Sequence, residues 1–234
     1  MIGRIALLVT FKKVKPKPQS LSRSHIRDLA AIKMKNFESL NRELLEAGLK
    51  TQTFLNEEMS PISTLVNTKT SSKPYKEILI EYLDILKGNE LEMVIRALTE
   101  KGMKDVAPLL ITILNNSENY PNLDLLAVGN AISVIDDSST YDKVLKVCQS
   151  PKYGASRQMI MTTLRKMKTE ESFQTLITSL QDESIRGHAI DELRKWGDPR
   201  ALAPIENVEV RKGLFEAKAK KKAIEKLKTA ANNG

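Results

Sequence analysis

The sequence predicts an all-α protein, an α-solenoid of stacked antiparallel helix pairs, and three observations carry that prediction. From Tyr75 onward apolar residues recur at helical spacing, in segments of 10 to 15 residues separated by short polar breaks. Leu, Ile, Val, Ala and Met dominate the apolar set while aromatics are only 5% of the chain, a composition that favours helix over sheet. Finally, Gly197-Asp-Pro-Arg-Ala-Leu-Ala-Pro-Ile205 reads as the turn between two helices, and weaker copies lie at Gly102–Leu110, Ser138–Leu145 and Thr169–Leu176. Taking Val106, Tyr141, Phe173 and Leu202 as one position gives spacings of 35, 32 and 29 residues, the mark of a two-helix repeat.

Three regions follow in order. Residues 1–35 form a basic N-terminal arm with a short apolar run, Ile5 to Val9, and a basic, proline-containing stretch from Lys12 to Pro18. Residues 36–74 are an N-terminal helical extension and linker. Asn36 to Lys50 places Phe37, Leu40, Leu44, Leu45 and Leu49 on one helical face and Glu38, Arg42, Glu43 and Glu46 on the other. Thr51 to Val66 is expected to pair with it, and Asn67 to Pro74 reads as linker.

Residues 75–230 hold about five helix pairs. The pairs are Tyr75–Lys87 with Asn89–Lys101, Lys104–Asn115 with Asn122–Ile135, Thr140–Gln149 with Gly154–Met167, Glu170–Leu180 with Glu183–Lys195, and Pro199–Glu206 with Val208 to about Ala230. Asp198 before Pro199 is a helix start, since the carboxylate accepts from orphan amides while proline at the first position loses no needed donor. Asn89 with Glu92, and Ser139 with Asp142, offer the same capping chemistry.

The residues Ala189-Ile-Asp-Glu-Leu-Arg-Lys-Trp-Gly-Asp-Pro-Arg-Ala-Leu-Ala-Pro-Ile205 resemble the HEAT family in its short bacterial-type form, found in phycobilin lyases and many scaffold proteins. The resemblance covers residues 75–230. The other copies depart from the pattern, with Asp136-Asp-Ser-Ser139 and Lys168-Thr-Glu-Glu171 at their turns in place of glycine and proline. The resemblance implies stacked pairs whose second helices line a concave binding face.

The formal charge of +8 is unevenly spread. Residues 1–35 carry +8, residues 36–210 carry −6 and residues 211–234 carry +6, so that both ends are basic. Within the repeats, helix Gly154 to Lys168 bears Arg157, Arg165, Lys166 and Lys168 and no acid. If these side chains line the concave face with Arg186 and Arg194 of the next second helix, they would meet phosphates of a nucleic acid or an acidic partner. The alternative is a solvated face offset by Glu170, Glu171 and Glu183. The last helix carries eight Lys/Arg around an apolar line, which a terminal repeat's outer face explains in part.

Catalytic motifs are absent from the sequence: no phosphate-binding glycine loop and no Gly-x-Ser-x-Gly elbow. The one cysteine, Cys148, sits in a helical apolar context and is expected to be buried, in keeping with a reducing, cytoplasmic setting. His25 and His188 lack partners at ligand spacing, so no metal or other cofactor is expected. No segment reaches the length of a membrane span. Bacterial alkyl-base DNA glycosylases also resemble such repeats and use an aspartate with aromatics. Asp191 and Trp196 are the comparable pair here, five residues apart and poorly placed to share a helix face. The expectation is therefore a non-catalytic scaffold for a protein partner, with a nucleic-acid-binding solenoid second and a glycosylase third.

Overall fold

The computed structural model describes residues 35–120 and 123–232. The expectations for the arm before Lys35, for His25 and for the Pro121-Asn122 junction lie outside these residues. From Lys35 onward the chain is one compact unit, so residues 36–74 join the helical body directly.

The described part is mostly helical. The helices are α1 (Phe37–Glu46), α2 (Pro61–Asn67), α3 (Lys76–Glu81), α4 (Gly88–Ala97), α5 (Ala107–Asn115), α6 (Leu125–Ile135), α7 (Tyr141–Gln149), α8 (Met161–Met167), α9 (Glu170–Ser179), α10 (Arg186–Trp196), α11 (Leu202–Glu206) and α12 (Phe215–Asn232). The first helices of successive pairs begin at Lys76, Ala107, Tyr141, Glu170 and Leu202, at intervals of 31, 34, 29 and 32 residues. Contacts join α1 to α2, α5 to α6, α7 to α8, α9 to α10 and α11 to α12, and they also link α2 to α4, α4 to α6, α8 to α10 and α10 to α12. One contiguous core runs from Leu40 through Tyr82, Leu98, Leu110, Ile132 and Phe173 to Leu227.

Where the chain enters α7, α9 and α11, the turn has one recurring form. A residue in the left-handed region ends the preceding second helix and a capping residue follows. Gly197 (φ +84) ends α10, and Asp198 accepts from the Arg200 amide at 2.9 Å. Asp136 (φ +56) ends α6 and Asp137 accepts from the Ser139 amide at 3.1 Å. Lys168 (φ +57) ends α8, and Thr169 accepts from the Ser172 amide at 3.2 Å. The turns that depart in sequence from the glycine-proline pattern therefore keep its backbone. They do so at a cost, since an L-residue in this region loses about 1 kcal/mol that glycine does not. Gly197→Ala is expected to lower stability by about 1 kcal/mol, about 3 °C in a thermal melt, through backbone conformation alone. A Cβ there would meet nothing within 4 Å, so an unchanged melt would refute the assignment.

Several boundaries differ from the sequence expectations. Thr51 to Val66 is not one helix. It holds a two-residue hairpin, β1 (Thr53–Phe54) against β2 (Glu57–Glu58), before α2 starts at Pro61 behind the Ser60 cap. Leu55 and Asn56 close that hairpin at φ +51 and +67, with Leu55 80% exposed and Phe54 66% exposed. Asn89 does not cap α4, which begins at Gly88 without a side-chain cap. In the turn 138–140 the capping acceptor is Asp137 and not Ser139. The helix expected from Gly154 is broken: Pro151–Arg157 is an irregular 3-10 turn kinked at Gly154 (φ +46, ψ −134), and α8 starts only at Met161. Likewise the last helix starts at Phe215 and not at Val208, because Gly213 (φ +84) interrupts the run.

Candidate functional site

A helix leaves its last four carbonyls without intrahelical partners, and cations placed there satisfy both the hydrogen-bond deficit and the negative end of the helix dipole. The basic residues of the second helices do this work in turn. In the lead-in to α8, the Arg157 guanidinium is 3% exposed: its Nε donates to the Gly154 carbonyl at 2.9 Å and a terminal nitrogen donates to the Cys148 carbonyl at the end of α7, at 3.2 Å. Its other terminal nitrogen binds the Asp182 carboxylate in the turn of the next pair.

Arg186 repeats the arrangement one unit later. Its Nε donates to the Leu180 carbonyl at the end of α9 (2.7 Å), while a terminal nitrogen reaches the Glu209 carbonyl in the following turn (3.3 Å) and lies 3.9 Å from Glu216. Lys220 closes α11, donating to the carbonyls of Glu206 and Val208 at 2.8 and 2.6 Å. Lys166 does the same for α6, with its Nζ 2.7 Å from the Ser133 carbonyl and 3.3 Å from Asp136.

The expected row of phosphate-facing cations is therefore not what these side chains form. Arg157 and Arg186 are staples at the ends of α7 and α9, and Lys166 is a cap on α6. Arg165 and Arg194 join a network on α8 and α10. Arg165 Nε donates to Glu192 at 2.7 Å, Lys195 Nζ donates to Glu192 at 2.6 Å and contacts Asp191 at 2.9 Å, and Arg194 donates to Asp191 at 2.8 Å. Lys168 Nζ stands over the Trp196 ring, 4.8 Å from its centroid. Arg165 and Arg194 thus share one network, while the other four each serve a separate contact.

Two acids of these contacts give the fold a pH dependence. Partial burial acts most strongly on Asp182 and would raise its carboxyl. The hydrogen bonds from Ser184 and the Arg157 guanidinium outweigh it and hold Asp182 below the ordinary carboxylate range. For Asp191, burial again opposes, and Lys195 and Arg194 win. A folded pKa below the unfolded value of about 3.9 means stability that is present above that value and lost as pH falls through it toward the folded pKa. Thermal midpoints should therefore fall between about pH 5 and the acid limit, and less steeply in Asp182→Asn; parallel profiles for the two proteins would contradict this.

The remaining sequence candidates have packing roles. Trp196 meets Phe173 edge-on at 5.3 Å between centroids, while Asp191 is engaged by its own helix. His188 is half-buried against Phe215, and that desolvation lowers its pKa. Cys148 is buried and its thiol is pushed up to about 12 by desolvation, which leaves it protonated and unreactive at neutral pH. Among the described residues no group of three or more His, Cys, Asp or Glu is placed to hold a metal ion, and no helix is long and apolar enough to cross a membrane.

What composition could not show is a depression running over three consecutive second helices. A hollow of about 280 Å³ lies between Asn67 of α2, Arg96 and Thr99 near α4, and Asn130 of α6; it adjoins one of about 350 Å³ that shares Arg96 and Thr99 and extends to Thr68 and Glu100. Arg96 is exposed and, among the described residues, is held by Glu92 at 3.7 Å along its own helix. Amides, hydroxyls and one exposed guanidinium are donors and acceptors suited to backbone and side-chain groups of an extended polypeptide. No single residue here departs from ordinary helix-surface composition, so the sequence carries no signal for it.

Neither a family model, nor a curated protein, nor a solved structure matches the chain.

Proposed function

We propose that the chain is a non-catalytic, HEAT-like helical-repeat scaffold that holds a protein partner across its second helices. The contacts within α1–α2, α5–α6, α7–α8, α9–α10 and α11–α12, together with first-helix starts every 29 to 34 residues, support a solenoid that presents such a surface. The observation that carries the partner class is charge balance. Arg165, Lys166, Arg194 and Lys195 are each paired with Glu192, Asp136 or Asp191 of the same layer, which leaves a mosaic of both signs. Nucleic-acid binding draws its affinity from unpaired cations that displace counterions, and these are already neutralised. Mixed charge beside the hollow at Asn67, Arg96 and Asn130 fits a protein surface better. The buried Cys148 accords with a reducing cytoplasmic setting.

The nucleic-acid reading stays as the second, on the strength of the basic ends of the chain. One experiment separates the two. The full chain is titrated against duplex and single-stranded DNA and RNA at low and near-physiological salt, and in parallel used for affinity capture as wild type and as Arg96→Glu/Asn130→Lys. The proposal expects nucleic-acid binding to vanish as salt rises, and a captured protein to be lost from the double variant. Submicromolar nucleic-acid binding that survives the higher salt would overturn it.

A further inference from the structure

The outer face of α12 is built differently from every surface above. Lys220 is spent on carbonyls and Lys228 lies 2.9 Å from Glu206, yet Lys218, Lys221, Lys222 and Lys226 are exposed and none of them takes part in an ion pair among the described residues. Glu225 is the acid on that face. Phe215, Lys218, Lys222 and Lys226 follow one another at helical spacing, so they form a single line about 16 Å long on the exposed flank of the helix beside the buried Ala219, Ala223 and Leu227.

The line has an apolar end. Leu214 is 47% exposed and Phe215 is 55% exposed, directly after Arg211-Lys212-Gly213. Phe215 is not loose: its inner edge lies on Gly187, where an added Cβ would come 2.8 Å from the ring, and its centroid is 5.2 Å from that of His188. A ring gripped along one edge with more than half its surface presented outward is an anchor set in place before any partner arrives.

We propose that this face, Leu214 and Phe215 with Lys218, Lys222 and Lys226, docks the chain on an anionic lipid surface. Apolar side chains beside lysines on one helical face are the two signals that together hold a protein at a headgroup layer, where either alone is marginal. Lysine, a hydrated point charge, suits a diffuse field of headgroups, whereas ordered phosphate recognition favours the arginine fork, which this line lacks. A line of exposed lysines on one helix flank can meet a surface along its length, and the adjacent Leu214 and Phe215 have a place in a headgroup layer that a duplex exterior does not offer.

The test is co-sedimentation of the full chain with phosphatidylcholine vesicles, with and without phosphatidylserine. Binding is expected only with the anionic lipid, weakened by salt. Lys218→Gln/Lys222→Gln/Lys226→Gln should lower affinity about a hundredfold, roughly fivefold per lysine. Leu214→Ser should lower it less and make the remainder more salt-sensitive. All these side chains are exposed, so unchanged thermal melts verify that the variants fold. Wild-type affinity in the triple variant would place the attraction elsewhere in the chain and overturn the proposal. So would a chain that ignores anionic vesicles yet stays on duplex DNA at near-physiological salt through the same three lysines. Capture of a protein partner through Asn67, Arg96 and Asn130 is read out separately, so the two proposals fail independently.

Discussion

Arg157→Met is expected to cost about 3 to 5 kcal/mol, a fall of about 10 °C in the thermal midpoint, which is the range for removing one partner of a buried charge pair. Three things go with the guanidinium. The Cys148 carbonyl loses its donor at the buried end of α7, the Gly154 carbonyl loses the bond that fixes the kinked turn, and the Asp182 carboxylate keeps its charge without its counterion. Methionine fills much of the same volume and so isolates the polar loss from a cavity. The alternative, that Arg157 serves a ligand at the surface, predicts an unchanged melt and altered binding. At 3% exposure that outcome is not expected, and a midpoint within 2 °C of wild type, about 1 kcal/mol or less, would sink the staple assignment. Arg186→Met tests whether the device repeats: its guanidinium bridges the end of α9 to the next turn in the same way, but its side chain is 13% exposed, more than that of Arg157, and its loss should cost less.

Much of the helical body can be read from the sequence, because burial of one face imposes the 3.6-residue period on any packed helix. The pair α9 and α10 shows this well: Phe173, Leu176, Leu180, Ile185, Ala189, Ile190 and Leu193 mark the buried stripe, and all are buried. The strong signal at Asp198-Pro199 also survives, since capping is local chemistry that depends on nothing distant. The hairpin at Thr53–Glu58 escapes because its turn is Leu55-Asn56, not the Asn-Gly or Asp-Gly that announces positive φ. The cations mislead for a different reason. A helix pattern shows that Arg157, Lys166 and Arg186 are basic, but the carbonyls they serve belong to other elements, 9, 33 and 6 residues back along the chain. A polar side chain's partner is a tertiary fact. The hollow at Asn67, Arg96 and Asn130 is tertiary in the same sense, assembled from three helices none of which is unusual by itself.

Arg165 and Glu192 allow that lesson to be turned into a measurement, because their burial is unequal. The Arg165 side chain is 26% exposed and can swing to water if its partner is lost, whereas the Glu192 side chain is 4% exposed and cannot. Arg165→Met is therefore expected to cost about 2 kcal/mol, most of it the penalty of a buried carboxylate left with only Lys195 and the Thr162 hydroxyl. Glu192→Leu alone should cost less, and the double variant Arg165→Met/Glu192→Leu should recover much of the loss, to within about 1 kcal/mol of wild type. Denaturant titration of the four proteins gives the coupling directly. Additive losses would mean that the two side chains act independently and that Arg165 is a surface cation after all, which would return it to the set available for a polyanionic partner. Strong coupling, the expected result, leaves Arg165 committed to the interior of the α8–α10 contact.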